Sequence, residues 1–321
     1  MAFSLCLALL LLGTPPRIDG QPLGPLVLVS SRRLAAYRHY TRDLATGLAQ
    51  AGIHPVDIVY LHDASRTGSG ARNPQIPDQA RLVVVVGPGN LDRALRLNLE
   101  DPILCVYVTR HDFQRAKRKL VPTKRLSAIY LNQPLGRFLS LAKALVPGLH
   151  AISTVLSKGQ SWRKPRIQQA ARRLGDAAHI IIVPDRLHAI FSAFRFVLPG
   201  TDALIEFPDE TVYNAVTLPT ILLRTIHYGV PIISYAPAYV QAGALAAVYT
   251  TPAEFSGQTL AWIRHLSAAP ASLPRPAYPS RFKLFLNRNI ARTLGITLPP
   301  IHEILERLRA HPSSLHPHPP A

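Results

Sequence analysis

The stretch RLVVVVGPGNLD (residues 81–92) decides the fold class. Its four consecutive valines show no polar alternation, which is the pattern of a strand buried on both faces of a parallel sheet. Gly87 and Gly89 follow the valines and indicate a tight turn that leads into a helix. A buried strand joined to a helix in this way is the repeating unit of an α/β fold.

Outward from this unit, strand-like and helical stretches alternate along most of the chain. Apolar runs predict further strands at 25–31, 56–61, 102–109, 127–131, 150–156, 179–183, 203–207, 230–235 and 245–250. Helical patterns lie between them, for example at 165–174, 187–196 and 218–228. The alternation predicts βαβ units with parallel sheets, and its two successive sets predict two Rossmann-like lobes.

Composition limits the functional class. Hydrophobic residues make up 48% of the chain, too many for a disordered protein, and the formal net charge is +18. The basic residues are spread from Arg32 to Arg309 with no dominant block and no interleaved aromatic stripe. The charge therefore indicates a basic, solvated surface, and we predict no nucleic-acid partner. The positive charge is also compatible with an anionic ligand, and the sequence leaves that alternative open.

The two ends of the chain have their own patterns. The apolar run from Phe3 to Leu12 has the length of a signal-peptide core, although no Lys or Arg precedes it. We predict a signal peptide over 1–20, a periplasmic location, and membrane contact only through a partner. The ending HPSSLHPHPPA (311–321) predicts a disordered tail.

Cys105 lies inside a predicted strand and is expected to be an inert apolar residue.

Motifs for catalysis are incomplete or absent. GPGNLD resembles a dinucleotide fingerprint, but Asp92 replaces its third glycine, so we predict no cofactor. Asp209 and Glu210 resemble a catalytic pair, but neighbouring acids at a helix start more often cap the helix. His311, His316 and His318 belong to low-complexity sequence, so no metal site is predicted. The sequence contains no nucleophile elbow, P-loop, H-E-x-x-H or C-x-x-C motif. We therefore predict that the chain is not an enzyme.

Candidate ligand contacts follow the predicted strands, because open α/β sheets bind ligands at the carboxyl ends of their strands. The hydroxyls and helix starts among them suit a carboxylate, and an aromatic ring suits an apolar body. The predicted ligand-binding residues are Ser30, Ser31, Gly89, Asn90 and Thr109 in the first lobe, and Asp185, Asp209 and Tyr235 in the second. Tyr213, Tyr235 and Tyr239 are consistent with core packing or with a stacking wall.

Three longer passages carry a family resemblance. LSAIYLNQPLGRFLSLAKALVPGLHAISTVLS (126–157), the region 207–263 with GVPIISYAPAYVQAGALAAVY, and FKLFLNRNIARTLGITLP (282–299) are similar to ABC-transporter substrate-binding proteins. With the strand order before them, the resemblance covers most of residues 25–305. The chain departs from the family at Asn132, which stands in place of the Asp of YLDQP, in its weak N-terminal leader and in its strong positive charge.

The resemblance implies a periplasmic binding protein of type I, with two lobes joined by hinge crossovers. It implies a first lobe of 22–133 plus 252–278 and a second lobe of 134–251 plus 279–310. It also implies a non-catalytic receptor that captures a small solute, an amino acid or another carboxylate, for an ABC-type permease. We expect the receptor to be a monomer. Some relatives bind aromatic amino acids.

Two rival functions stay open at this point. A two-domain glycosyltransferase also pairs Rossmann-like lobes around a cleft, but it needs a nucleotide-sugar site that the sequence does not show. An adaptor or sensor subunit can retain the binding fold without transport, and its cleft is then filled by its own side chains.

Overall fold

The structure, a computed structural model, describes residues 25–31, 34–54, 56–60, 80–96, 101–119, 125–268 and 273–310. The predicted signal peptide (1–20) and the predicted disordered tail (311–321) lie outside the described residues, so both stay predictions. Among the helices described, none has both the length and the apolar character needed to cross a membrane.

The first lobe is built on a five-stranded sheet with the strand order β2-β1-β3-β4-β5, and all its pairs are parallel. The strands are β1 (Leu26–Ser30), β2 (Val56–Tyr60), β3 (Leu82–Val86), β4 (Ile103–Val108) and β5 (Leu126–Tyr130). Its helices are α1 (Ala35–Gln50), α2 (Pro88–Arg96) and α3 (Arg110–Lys117). The valine run forms the central strand β3 and is fully buried, as its pattern predicts.

The second lobe is built on a six-stranded sheet with the order β11-β10-β9-β8-β6-β7, in which only the β10–β11 pair is antiparallel. Its strands are β6 (Ala151–Ser157), β7 (Ala177–Val183), β8 (Ala203–Ile205), β9 (Ile232–Ser234), β10 (Ala246–Tyr249) and β11 (Lys283–Leu286). The remaining helices are α4 (Leu135–Leu145), a 3-10 helix (Lys158–Arg163), α5 (Lys164–Arg173), α6 (Leu187–Val197), α7 (Leu218–His227), α8 (Pro237–Ala242), α9 (Pro252–Ala268), α10 (Arg288–Thr293) and α11 (Ile301–Ala310). The predicted fold class, two lobes with parallel sheets, is confirmed.

The chain passes between the sheets after β5, after β10 and again before β11. After β10, helix α9 packs against α1 of the first lobe, and the chain then returns to form β11 beside β10. Hydrogen bonds join these crossovers: the Gln133 side-chain amide donates to the Thr250 hydroxyl over 2.8 Å, and that hydroxyl donates to the Arg281 carbonyl over 2.8 Å. The crossovers therefore form a connected hinge. The lobe boundaries implied by the resemblance stay a prediction.

The turn between β3 and α2 depends on one glycine. Gly87 has a φ of 86°, in the left-handed region, and a Cβ at this position would lie 2.5 Å from the Tyr37 hydroxyl oxygen. An L side chain here is unfavourable for two reasons, the left-handed backbone conformation and the clash with the tyrosine ring. The sequence-based prediction of a tight strand-to-helix turn is confirmed.

We expect Gly87→Ala to lower the free energy of unfolding by about 2 kcal/mol or more, because left-handed backbone alone costs about 1–2 kcal/mol for an alanine. Gly89→Ala is the matched control, since a Cβ at Gly89 meets no described atom within 4 Å. Urea unfolding followed by circular dichroism measures both variants. Equal stability of the two would show that the Gly87 turn carries no strain.

Candidate functional site

A cavity of about 290 Å³ lies between the lobes beside the crossovers, and we name it the hinge cavity. The first lobe and the crossovers contribute residues that follow β4, β5 and β10, and the second lobe contributes residues that follow β8 and β9. The lining residues are Thr109, Leu131, Asn132, Gln133, Leu135, Phe138, Arg163, Phe207, Pro208, Tyr235, Ala236, Pro237, Tyr249 and Thr250. The volume is at the lower end of the range for ligand sites, about 300–1,000 Å³, and suits a small solute.

Aromatic rings form much of the cavity wall. The rings of Phe138 and Phe207 meet edge to face, with centroids 5.5 Å apart. The Tyr235 hydroxyl donates to the Tyr239 hydroxyl over 3.2 Å, which fixes the ring at the carboxyl end of β9. Burial raises the pKa of Tyr235, so its hydroxyl stays protonated and keeps its capacity to hydrogen-bond. This wall suits the flat apolar part of a ligand.

Polar groups line the crossover side of the cavity. The Thr109 hydroxyl caps α3 by accepting a hydrogen bond from the Asp112 backbone N–H over 3.1 Å, and it donates to the Asp112 carboxylate over 2.7 Å. Asn132 accepts a hydrogen bond from the backbone N–H of Arg110 over 3.0 Å. These hydrogen bonds hold Thr109 and Asn132 at the mouth of the cleft, so the cavity presents fixed polar groups opposite an aromatic wall.

A buried cation, Arg163, also reaches the cavity. Its guanidinium carbon lies 4.5 Å from the ring centre of Trp162 and 5.5 Å from that of Phe207. Its Nε donates to the Gln160 side-chain oxygen over 2.9 Å. Burial lowers the pKa of Arg163 to about 10, although the negative charge of Asp209 acts in the opposite direction. Arg163 therefore stays charged at neutral pH and offers a positive group to an anion in the cleft.

The two lobes touch each other across the cleft. The imidazole of His111 on α3 stacks on the indole of Trp162, with ring centroids 4.3 Å apart and planes inclined by 11°. Beside this stack, an Nη of Arg166 donates to the Gln114 side-chain oxygen over 3.4 Å. Burial is the main cause of a lowered pKa at His111, so the imidazole is neutral at neutral pH. Separation of the lobes must break both contacts.

A buried acid lies behind the aromatic wall. Glu206 follows β8 and is 1% exposed, and neither of its carboxyl oxygens forms a hydrogen bond of normal geometry with another described group. Burial raises the pKa of Glu206 to about 8, which the nearby Ser234 hydroxyl offsets only in part. Glu206 is therefore mostly a neutral acid at neutral pH, and its charge is not available to a ligand.

The structure brings two of the predicted ligand-binding residues to the hinge cavity, Thr109 and Tyr235. Three others use their side chains inside their own lobes. Ser30 shares a hydrogen bond of 2.9 Å with Thr41, the Asn90 amide donates to the Val86 carbonyl over 2.8 Å, and the Asp209 carboxylate accepts from the Ser157 backbone N–H over 2.7 Å.

The remaining three predicted residues line neither described cavity. Ser31 is half-buried just beyond β1, Gly89 is exposed in the first turn of α2, and Asp185 is exposed between β7 and α6. Ligand contact by these residues stays a prediction.

The prediction that Asp209 and Glu210 cap a helix is wrong, because the next helix, α7, begins at Leu218 and Asp209 binds the end of β6 instead.

Sequence reasoning missed Phe207, Arg163 and Trp162. Phe207 is the last residue of the predicted strand at 203–207, so the strand-end rule was sufficient to find it. Arg163 and Trp162 lie in the 3-10 helix that follows β6, and the wide spacing from the strand end hid them. In the described ranges, no three His, Cys, Asp or Glu side chains come together as a metal site.

Solved structures with a similar fold include three bacterial proteins. The ABC domain from Streptococcus pneumonia in complex with L-Trp shares 20% identity over 88% of this chain and 97% of its own, with a TM-score of 0.57. A conserved domain protein from Vibrio cholerae shares 17% identity over 89% of this chain and 98% of its own, also with a TM-score of 0.57.

The third structure is the ligand-free, open form of a substrate binding protein with adhesive properties from Clostridium difficile. It shares 16% identity over 86% of this chain and 96% of its own, with a TM-score of 0.68. Among curated protein sequences, none matches this chain. A family model described as ABC transporter substrate binding protein matches residues 44–308, which is most of the chain. The two lobes, the cavity between them and this match together show that the chain belongs to the ABC transporter substrate-binding protein family.

Proposed function

We propose that the chain is a solute receptor that holds a small ligand in the hinge cavity and delivers it to an ABC-type permease. The ligand has an apolar body and an anionic group, as in an amino acid or another carboxylate. The observation that carries this proposal is a cavity whose walls come from both lobes, with aromatic rings opposite fixed polar groups and one buried arginine. A ligand held there is enclosed when the lobes approach each other.

The cellular setting belongs to the same proposal. ABC substrate-binding proteins are typically extracellular or periplasmic, and we place this chain in the periplasm as a monomer. The closed form would present surfaces of both lobes to the permease, so that delivery follows capture.

An adaptor that reuses the fold is the rival function. If the chain were an adaptor, its own side chains would be expected to fill the cleft. The structure instead has a cavity of about 290 Å³ between the lobes. That volume favours a receptor. A catalytic function has no comparable support, because the family model describes binding proteins.

The test is ligand-dependent stabilisation of the purified chain. A ligand that binds only the native state raises the melting temperature by mass action. We expect a member of a defined set, L-tryptophan, L-phenylalanine, short carboxylates and dicarboxylates, and phenyl phosphate, to raise the melting temperature in a concentration-dependent way. No shift with any of them, in protein freed of copurified solute by unfolding and refolding, would contradict the proposal and favour the adaptor.

Tyr235→Ala is expected to weaken binding of the stabilising solute about tenfold or more, because it removes an aromatic wall worth roughly 1.5–3 kcal/mol when buried against a ligand. Calorimetric titration measures this loss. Tyr228→Ala is the matched control, since Tyr228 is 42% exposed and does not line the cavity. Equal loss in both variants would place the ligand elsewhere.

A further inference from the structure

A second cavity, of about 150 Å³, adjoins the hinge cavity, and we name it the arginine cavity. Asn132, Leu135 and Arg163 line both cavities, so the two share a wall. The other described lining residues are Arg110, Pro134, Gly136, Trp162, Arg166, Gln169, Ala170, Arg173 and Tyr278. Four of the lining side chains are arginines, and no aspartate or glutamate is among them.

Described carboxylates offset the positive charge of this cavity only from a distance, since Asp209 and Asp112 act on Arg163 without forming an ion pair with it. In the part of the chain that the structure describes, Arg110, Arg163 and Arg166 form no ion pair with a carboxylate. The guanidinium groups of Arg163 and Arg166 donate instead to the neutral amide oxygens of Gln160 and Gln114. Burial lowers the pKa of Arg166, and the nearby Arg110 lowers it further. Like charges thus gather in a partly enclosed space, which is unfavourable without an anion.

A buried arginine elsewhere in the hinge shows the contrast. Burial also lowers the pKa of Arg137, to about 10. One of its Nη atoms, however, donates to both the Gln133 side-chain oxygen, over 2.6 Å, and the Pro279 carbonyl, over 2.8 Å, and its guanidinium carbon lies 4.3 Å from the Phe282 ring centre. Arg137 therefore has a structural role. The arginine cavity instead gathers several guanidinium groups that face a shared empty volume.

The chemistry of the side chains selects the ligand. A guanidinium group presents a planar set of donors that matches the oxygens of a phosphate or a carboxylate, and several converging guanidinium groups suit a doubly charged oxyanion. The same field repels an ammonium group. An apolar body in the hinge cavity can join an anionic group in the arginine cavity through the shared wall at Asn132 and Arg163.

We propose that the arginine cavity is an anion site and that the ligand of this receptor carries a doubly charged oxyanion of the phosphate or phosphonate type, without an ammonium group. The inference rests on the proposed function for the apolar part of the ligand, which occupies the hinge cavity. The anion site itself is testable without that function, because inorganic phosphate alone probes it.

The experiment is calorimetric titration of the full chain with inorganic phosphate, phenyl phosphate and L-phenylalanine. We expect phosphate to bind and phenyl phosphate to bind more tightly, because its ring reaches the hinge cavity. Arg166→Gln is expected to weaken both about tenfold or more, as for the loss of a charge-assisted hydrogen bond. Arg172→Gln is the matched control, because Arg172 lies exposed on the same helix, α5, and does not line the cavity.

A second variant removes the charge imbalance without removing an arginine. Asn132→Asp keeps the shape and the oxygen that accepts from Arg110, but it adds a carboxylate to the shared wall. We expect it to weaken phosphate binding about tenfold while the melting temperature is maintained or raised.

The outcomes separate this inference from the proposed function. Phosphate binding that Arg166→Gln and Asn132→Asp weaken and Arg172→Gln leaves unchanged supports the anion site, even if phenyl phosphate gains nothing from its ring. No phosphate binding, or equal loss in Arg166→Gln and Arg172→Gln, overturns it. If L-phenylalanine binds and phosphate does not, the receptor function stands and the inference about a doubly charged ligand fails.

Discussion

Glu206→Gln is expected to stabilise the protein at alkaline pH and to leave its stability almost unchanged at pH 5. Glu206 is 1% exposed and its pKa is raised to about 8 by burial. The folded state therefore holds a proton that the unfolded chain releases above its ordinary pKa of 4.5. The stabilising effect of this proton is complete below pH 4.5 and is lost as the pH rises through 8.

The magnitude follows from this linkage. Each pH unit between the two pKa values costs about 1.4 kcal/mol of stability, so the wild type loses roughly 4 kcal/mol between pH 5 and pH 8 from this one group. Glutamine has the shape of the protonated acid and does not titrate. The advantage of Glu206→Gln in melting temperature should therefore grow from near zero at pH 5 to on the order of 5 °C or more at pH 8.5.

Thermal unfolding followed by circular dichroism at a series of pH values measures this difference. Glu210→Gln is the control, because Glu210 is exposed and its loss should leave the pH dependence unchanged. A pH-independent difference between Glu206→Gln and the wild type would mean that Glu206 is ionised in the folded protein.

The second large effect is expected from Asp209→Ala, which should lower the free energy of unfolding by about 3 kcal/mol. The Asp209 carboxylate is buried and accepts a hydrogen bond from the Ser157 backbone N–H over 2.7 Å. Its negative charge also acts on Arg163, which is 6% exposed. Removal leaves a buried N–H without its acceptor and takes away the negative charge that acts most strongly on Arg163.

Asp185→Ala is the control for this variant. Both aspartates follow strands of the second sheet, but Asp185 is exposed and should cost less than about 0.5 kcal/mol. Urea denaturation compares the two. If Asp209→Ala retains wild-type stability and loses only ligand affinity, then Asp209 contacts the ligand and its bond to Ser157 is not structural.

Asp209 also shows why the site was harder to predict than the fold. The buried strands can be recognised in the sequence from runs such as the valines of β3, since a strand covered on both faces must be apolar along its whole length. The position of a carboxylate after a strand predicts only that it lies near the cleft edge. Whether it faces the ligand or binds a backbone N–H depends on the turn that follows, which no local pattern specifies.

The strand-end rule therefore succeeded at some positions and not at others. Thr109 and Tyr235 reach the hinge cavity because they directly follow β4 and β9, inner strands that lie beside the strands leading into the crossovers, β5 and β10. Asp185 follows β7, an edge strand far from the crossovers in the sheet order. Strand order depends on long-range pairing, so the sequence pattern alone could not separate these cases.

The arginines illustrate a further limit. Composition shows a net charge of +18, and the spread of basic residues favours a solvated surface. The fold nevertheless gathers Arg110 from α3 with Arg163, Arg166 and Arg173 from the second lobe around one cavity. Arg110 is more than 50 positions from the other three, and only the hinge brings it close to them.

The central claim, capture of a solute between the lobes, is tested most directly by mass spectrometry of the small molecules released when the purified full chain is denatured. We expect one solute at close to one copy per chain, with an apolar body and an anionic group. Added back to the refolded protein, that solute should raise the melting temperature of the wild type more than that of Tyr235→Ala. A chain that releases no solute, and whose melting temperature no amino acid, carboxylate or phosphate ester changes, would contradict the account.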